Sequence, residues 1–71
     1  MVQANCVREF RERMKLSKQK LSHITGISPS NLFHIETGRL YPYPGWRKRI
    51  SEALGVSEDV IFPEIMNEEK D

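Results

Sequence analysis

The chain has 71 residues, of which 30% are charged and 38% hydrophobic, and a formal net charge of +1. A domain of this length buries only about 60% of the surface its unfolded chain exposes, so a small core fits but an enclosed catalytic cavity beside it does not, and a binding module is expected rather than an enzyme. A single cysteine, Cys6, allows no internal disulfide and suits a reducing, cytoplasmic setting; no apolar run approaches the ~20 residues that span a bilayer, and Met1 to Phe10 lack the apolar core of a secretion signal.

The charge is unevenly distributed. Residues 1–50 carry ten Lys and Arg against three Asp and Glu, a net +7, whereas residues 51–71 carry one against seven, a net −6. A basic body with an acidic end implies an anionic partner for the body. A solvated face with a solubilising tail would give the same numbers.

Serine, glycine and proline divide the chain into five expected helices. The first spans Gln3 to Met14, with Val7, Phe10 and Met14 inward at spacings of three and four. Ser17 caps the second, Lys18 to Thr25, which turns Leu21 and Ile24 inward and ends at Gly26. Ser28 caps the third, Pro29 to Thr37, with Pro29 at the favoured first position and Leu32 and Ile35 inward. Gly38 follows it, and Arg39 to Gly45 read as an irregular loop. The fourth, Trp46 to Leu54, buries Trp46, Ile50, Ala53 and Leu54 and stops at Gly55. Ser57 introduces a short fifth turn from Glu58 that ends at Pro63, with Val60 and Ile61 as its apolar face.

The second and third helices are joined by Gly26, Ile27 and Ser28 alone. Two short helices joined so tightly make a helix-turn-helix unit, with Gly26 in the left-handed turn and Ile27 plugging the angle. This is a weak signal alone. The third helix sharpens it: opposite Leu32 and Ile35 lie Ser30, Phe33, His34 and Thr37, a face with no acid and no long charged chain. Hydroxyls can bond base edges or phosphates, and an apolar group can touch a thymine methyl. Glu36 lies toward the inward side, where Arg11 of the first helix would point.

From Val7 to Phe62 the chain resembles the Cro and phage-repressor (Xre-type) helix-turn-helix regulators. VREFRERMKLS is similar to that family's first helix, SKQKLSHITGIS to its second helix and turn, SPSNLFHIETGRL to its third, and RISEALGVSEDVIF to its fourth and last helices. The resemblance implies an all-α fold, a compact five-helix lambda-repressor-like domain over 1–66; the charged residues 67–71 read by themselves as a frayed tail. The resemblance also implies a buried salt bridge between Arg11 and Glu36, and base contacts from Ser28, Pro29, Ser30 and His34. It implies phosphate contacts from Lys18 and Arg39. There are departures: Lys18 and Pro29 stand where the family commonly has Gln, Phe33 replaces a polar residue, and the loop YPYPG is aromatic and proline-rich.

Phe33 joins the base-contacting set if it meets a thymine methyl or a sugar; the alternative is packing on Tyr41 or Tyr43. Asn31, Thr37, Tyr41 and Arg47 are further candidate phosphate contacts, with plain solvent exposure as the alternative. His23 and His34 stand on different helices with only Cys6 as a third soft ligand, so neither a metal site nor a cofactor is expected. Cys6 reads as a small, partly buried apolar residue.

The expected mechanism is a homodimer formed through Val56, Val60, Ile61, Phe62 and Ile65, presenting two third helices ~34 Å apart to a pseudo-palindromic operator in double-stranded DNA. Such a regulator, foremost a repressor, blocks or recruits RNA polymerase. The competing expectation is a protein-interaction module, antitoxin-like or coactivator-type, that keeps the fold with weak DNA binding.

Overall fold

The computed structural model describes residues 5–69, with side chains through Met66. Among them every regular element is helical: α1 (Val7–Arg13), α2 (Lys18–Thr25), α3 (Pro29–Glu36), α4 (Pro44–Leu54), α5 (Glu58–Ile61) and α6 (Pro63–Glu69). Five helices were expected, and the sixth comes from Pro63. Pro63, expected to end the fifth turn, occupies the first turn of a new helix instead, where its missing N–H would have no intrahelical partner anyway. Pro44 does the same for α4, which begins two residues before Trp46. The expected tail at 67–71 starts inside α6, and residues 70–71 lie outside the described ones. So do Gln3 and Ala4, where the first helix was expected to begin.

The start and stop signals act locally. Ser17 and Ser28 both hold extended backbone and accept a hydrogen bond from the third residue on, Lys20 N–H at 3.0 Å and Asn31 N–H at 3.2 Å. Each satisfies one of the donors a helix start leaves open. Ser57 precedes α5 with the same backbone but makes no side-chain cap bond. At the other end, α3 closes in a Schellman motif: Gly38, at φ 79°, donates to the Ile35 carbonyl and Arg39 donates to the His34 carbonyl.

The same motif ends α1, where Lys15 N–H reaches the Glu12 carbonyl and Leu16 N–H the Arg11 carbonyl. Here the left-handed position is filled by Lys15, at φ 58°, rather than by glycine. A Cβ in that conformation is unfavourable. Lys15→Gly is therefore expected to stabilise the protein by about 0.5–1 kcal/mol, measured as a raised midpoint in urea unfolding with an unchanged slope.

The core is built from Val7, Leu21, Ile27, Leu32, Ile35, Ile50, Leu54, Ile61, Phe62 and Ile65, with Phe62 the largest fully buried side chain. Helix α2 packs on both α3 and α4, α1 bridges α3 and α4, and α5 links α4 to α6. Two bonds seat α1. Cys6 N–H donates to the Ile61 carbonyl at 2.8 Å, and the Asn5 amide donates to the Ile35 carbonyl while its oxygen accepts from Val7 N–H. Cys6 itself is half-buried.

Two expected core residues face out. Met14 is 47% and Ile24 49% exposed. On α2 the buried pair is Leu21 and Thr25, and at about 100° per residue Ile24 lies some 80° from the centre of that stripe. Thr25 can be buried because its hydroxyl is used twice, donating to the Leu21 carbonyl at 2.8 Å and accepting from Ile27 N–H at 3.3 Å. Met14 is the C-cap of α1, past its last inward turn. Trp46 and Ala53 are only partly buried against the core.

Candidate nucleic-acid interface

The short connection between α2 and α3 is built by residues with separate tasks. Gly26 takes the left-handed conformation at φ 75° and closes α2 through its N–H to the Ser22 carbonyl. Ile27 is buried between the helices, and Ser28 turns the chain back into α3. With Leu32 and Ile35 fully buried, the opposite side of α3 is presented outward. Ser28, Pro29, Ser30 and Phe33 are exposed there, while Asn31, His34 and Thr37 are half-buried. Phe33 is 45% exposed.

Among the described residues the ring contact of Phe33 is with His34 rather than with a tyrosine of the following loop. The Phe33 ring meets His34 edge-on, centroids 5.7 Å apart, and carries the Lys18 ammonium 5.4 Å from its centroid. Tyr43 instead stacks edge-on against Trp46 at 5.4 Å. Thr37 turns its hydroxyl back, donating to the carbonyls of Phe33 and His34. Beside these residues lies a cleft of about 300 Å³ lined by Arg8, Lys18, Phe33, Glu36 and Thr37.

Behind the exposed face, Arg11 and Glu36 set the angle between α1 and α3. Arg11 Nε donates to Glu36 Oε2 at 2.9 Å and Nη2 to Oε1 at 3.3 Å, while Nη1 donates to the Leu16 carbonyl at 2.7 Å. Both side chains are buried, and each charged group has its hydrogen bonds met. A two-pronged guanidinium–carboxylate pair fixes orientation as well as distance.

Arg47 requires a correction. Expected at a phosphate, it is only 3% exposed. Nη1 donates to the Pro42 carbonyl at 2.9 Å, Nε approaches Glu58 Oε1 at 3.4 Å, and Tyr41 lies over the guanidinium at 5.8 Å. Arg47 thus ties the loop after α3 to the start of α5, work that no local signal in the sequence announces. Arg39, by contrast, is exposed just past α3, and Tyr41 is exposed on the same loop.

The expected dimer surface is corrected as well. Ile61, Phe62 and Ile65 are fully buried within a single chain. They belong to the one core cluster that α5 closes against α4 and α6, so they are not free to meet a second copy. Of the five residues expected there, Val60 is exposed and Val56 half-buried.

The profile of the helix-turn-helix domain matches residues 4–68, nearly the whole chain. The chain belongs to the helix-turn-helix domain family. A search of curated proteins finds no match. A helix-turn-helix domain suggests DNA binding of a regulatory kind, and the two helices joined by the short turn in this chain are α2 and α3. Among the described residues no three His, Cys, Asp or Glu side chains gather as metal ligands would, and no helix is long and apolar enough to cross a membrane.

Proposed function

We propose that this helix-turn-helix domain is a sequence-specific regulator of the Cro and phage-repressor (Xre) type, acting as a repressor by laying α3 in the major groove of its operator. The observation that carries this reading is the outward face of α3: Ser28, Pro29 and Ser30 are exposed and His34 is half-buried beside them, with no carboxylate among the four. Hydroxyls and an imidazole can bond to base edges. Lys18 at one flank and Arg39 at the other supply cations for the phosphates that set register. Asn31 and Thr37, half-buried along the edges of the helix, lie within the same footprint. The net +7 of residues 1–50 supports the same partner.

A homodimer would place two α3 helices one DNA turn apart, through a surface other than Ile61, Phe62 and Ile65. The exposed Phe33, Tyr41 and Tyr43 favour the second reading, a module that docks on another protein.

Fluorescence anisotropy separates the two. A labelled duplex from upstream of the protein's own gene is titrated beside a scrambled duplex at two salt concentrations, with wild type and His34→Ala. The expected result is tighter binding to the native duplex, weakened by salt, with His34→Ala losing about 1 kcal/mol, roughly fivefold, of that preference. Equal weak binding to both duplexes, indifferent to the substitution, would overturn the base-reading role and favour the protein partner.

A further inference from the structure

The cleft beside α3 draws on three helices. Arg8 comes from α1, Lys18 from α2, and Phe33, Glu36 and Thr37 from α3. Its one carboxylate, Glu36, is held by Arg11 through both oxygens. Two further cations therefore face the cleft with no uncompensated negative charge lining it. Arg8 is exposed and its partner, Glu12 one turn on, is exposed too. Such a pair is weak and easily exchanged for a better anion. Among the described residues no carboxylate stands within ion-pair distance of Lys18. Its ammonium lies instead over the face of the Phe33 ring.

That contact limits where the lysine can go. A lysine chain is long and rotamer-rich, and ordering it on binding costs entropy. An ammonium over an aromatic face is held by the ring quadrupole and still keeps donors free. Phe33 is exposed, so its ring is not needed to fill the core; it lies beside the cleft and under the cation.

We propose that Phe33 is a positioning residue: its ring holds Lys18 over this cleft so that Lys18 and Arg8 together grip one phosphodiester of the DNA backbone. Phe33 then acts through Lys18 rather than by touching a base, and Arg8, which no motif singles out, is a second phosphate contact. The inference rests on the DNA-binding reading and specifies how one side of the footprint is anchored.

The test is the slope of log Kd against log salt, on native and scrambled duplexes, for wild type, Arg8→Gln, Lys18→Gln, Phe33→Leu and Phe33→Trp. None of the three side chains belongs to the core, and circular dichroism of each variant checks the fold. Losing one phosphate contact makes the slope shallower by about 0.9. A fourfold rise in salt should then weaken Arg8→Gln or Lys18→Gln about 3.5-fold less than wild type. The change should be equal on both duplexes. Phe33→Leu should lose part of the same slope, Phe33→Trp should restore it, and the native-to-scrambled ratio should hold in both. If Phe33→Leu keeps the wild-type slope and collapses that ratio, Phe33 reads bases and the proposal fails. If Arg8→Gln keeps the slope, Arg8 lies outside the grip and the two-cation seat fails. If wild type itself binds neither duplex in a salt-dependent way, the DNA-binding reading falls and takes the seat with it, an outcome distinct from failure of the seat alone.

Discussion

Glu36→Ala is expected to destabilise the protein by about 3–5 kcal/mol. The substitution leaves Arg11 almost entirely buried, with one nitrogen still donating to the Leu16 carbonyl and the two that faced the carboxylate unpaired. Removing one partner of a buried pair exposes the full desolvation penalty of the other. Small domains hold only roughly 5–15 kcal/mol in all, and this one is near the short end. Much of the variant population should therefore be unfolded at 25 °C. Urea unfolding, followed by Trp46 fluorescence and by helical circular dichroism, gives the number. The double variant Arg11→Met/Glu36→Leu should recover most of the loss, because apolar groups of similar volume need no partner. If the single variant loses less than about 1 kcal/mol, the guanidinium has found water and the pair is not closed in solution.

The second large effect is expected at Arg47. Arg47→Met should cost on the order of 3 kcal/mol, the lower end of the range for a broken buried pair. The discount is for Glu58, whose side chain is 30% exposed and can be rehydrated. The loss would show as a lowered midpoint in the same urea experiment. The salt slope of duplex binding should stay at the wild-type value, since the guanidinium points inward to Pro42 and Glu58. Arg39→Gln is the opposite case. Arg39 is exposed, so stability should move by no more than about 0.5 kcal/mol, while the slope becomes shallower by about 0.9. A shallower slope for Arg47→Met with unchanged stability would restore Arg47 to the DNA-contacting set.

These two arginines show why one class of residue was legible and another was not. Arg11 stands at a recognisable place in a resemblance that also contains Glu36, so its burial was expected. Arg47 stands among Arg47, Lys48 and Arg49 in a basic stretch, where a solvated or phosphate-facing side chain is the natural reading. Its partners are a backbone carbonyl five residues back and a carboxylate eleven residues on. Five is not a helical spacing, and although eleven is close to three turns, α4 ends at Leu54 before Glu58 is reached, so no periodicity could pair them.

Much of the candidate interface was legible because its signals are local. Ser17, Gly26, Ser28 and Pro29 act within three or four residues of themselves, and Leu32 and Ile35 mark the buried side of α3 by spacing alone. The outward direction of Ser30 and Phe33 follows from those two. The ring contact between Phe33 and Lys18 was not legible, because it depends on the angle between α2 and α3. Thr25, not Ile24, is buried because hydrophobicity predicts burial only until a polar side chain finds both of its hydrogen bonds inside.

What this sequence determined by itself is the set of helices around the turn and the composition of the face α3 turns outward, since capping, glycine conformation and helical periodicity are short-range. What the tertiary structure decided is where ambiguous residues go. Proline ends one helix or starts the next depending on what the following residues can pack against, so Pro44 and Pro63 open α4 and α6. An apolar cluster such as Ile61, Phe62 and Ile65 is equally suited to a core or to a second subunit. The single-chain core claims it because α5 and α6 follow α4 in the same chain and close on it without the entropic cost of association.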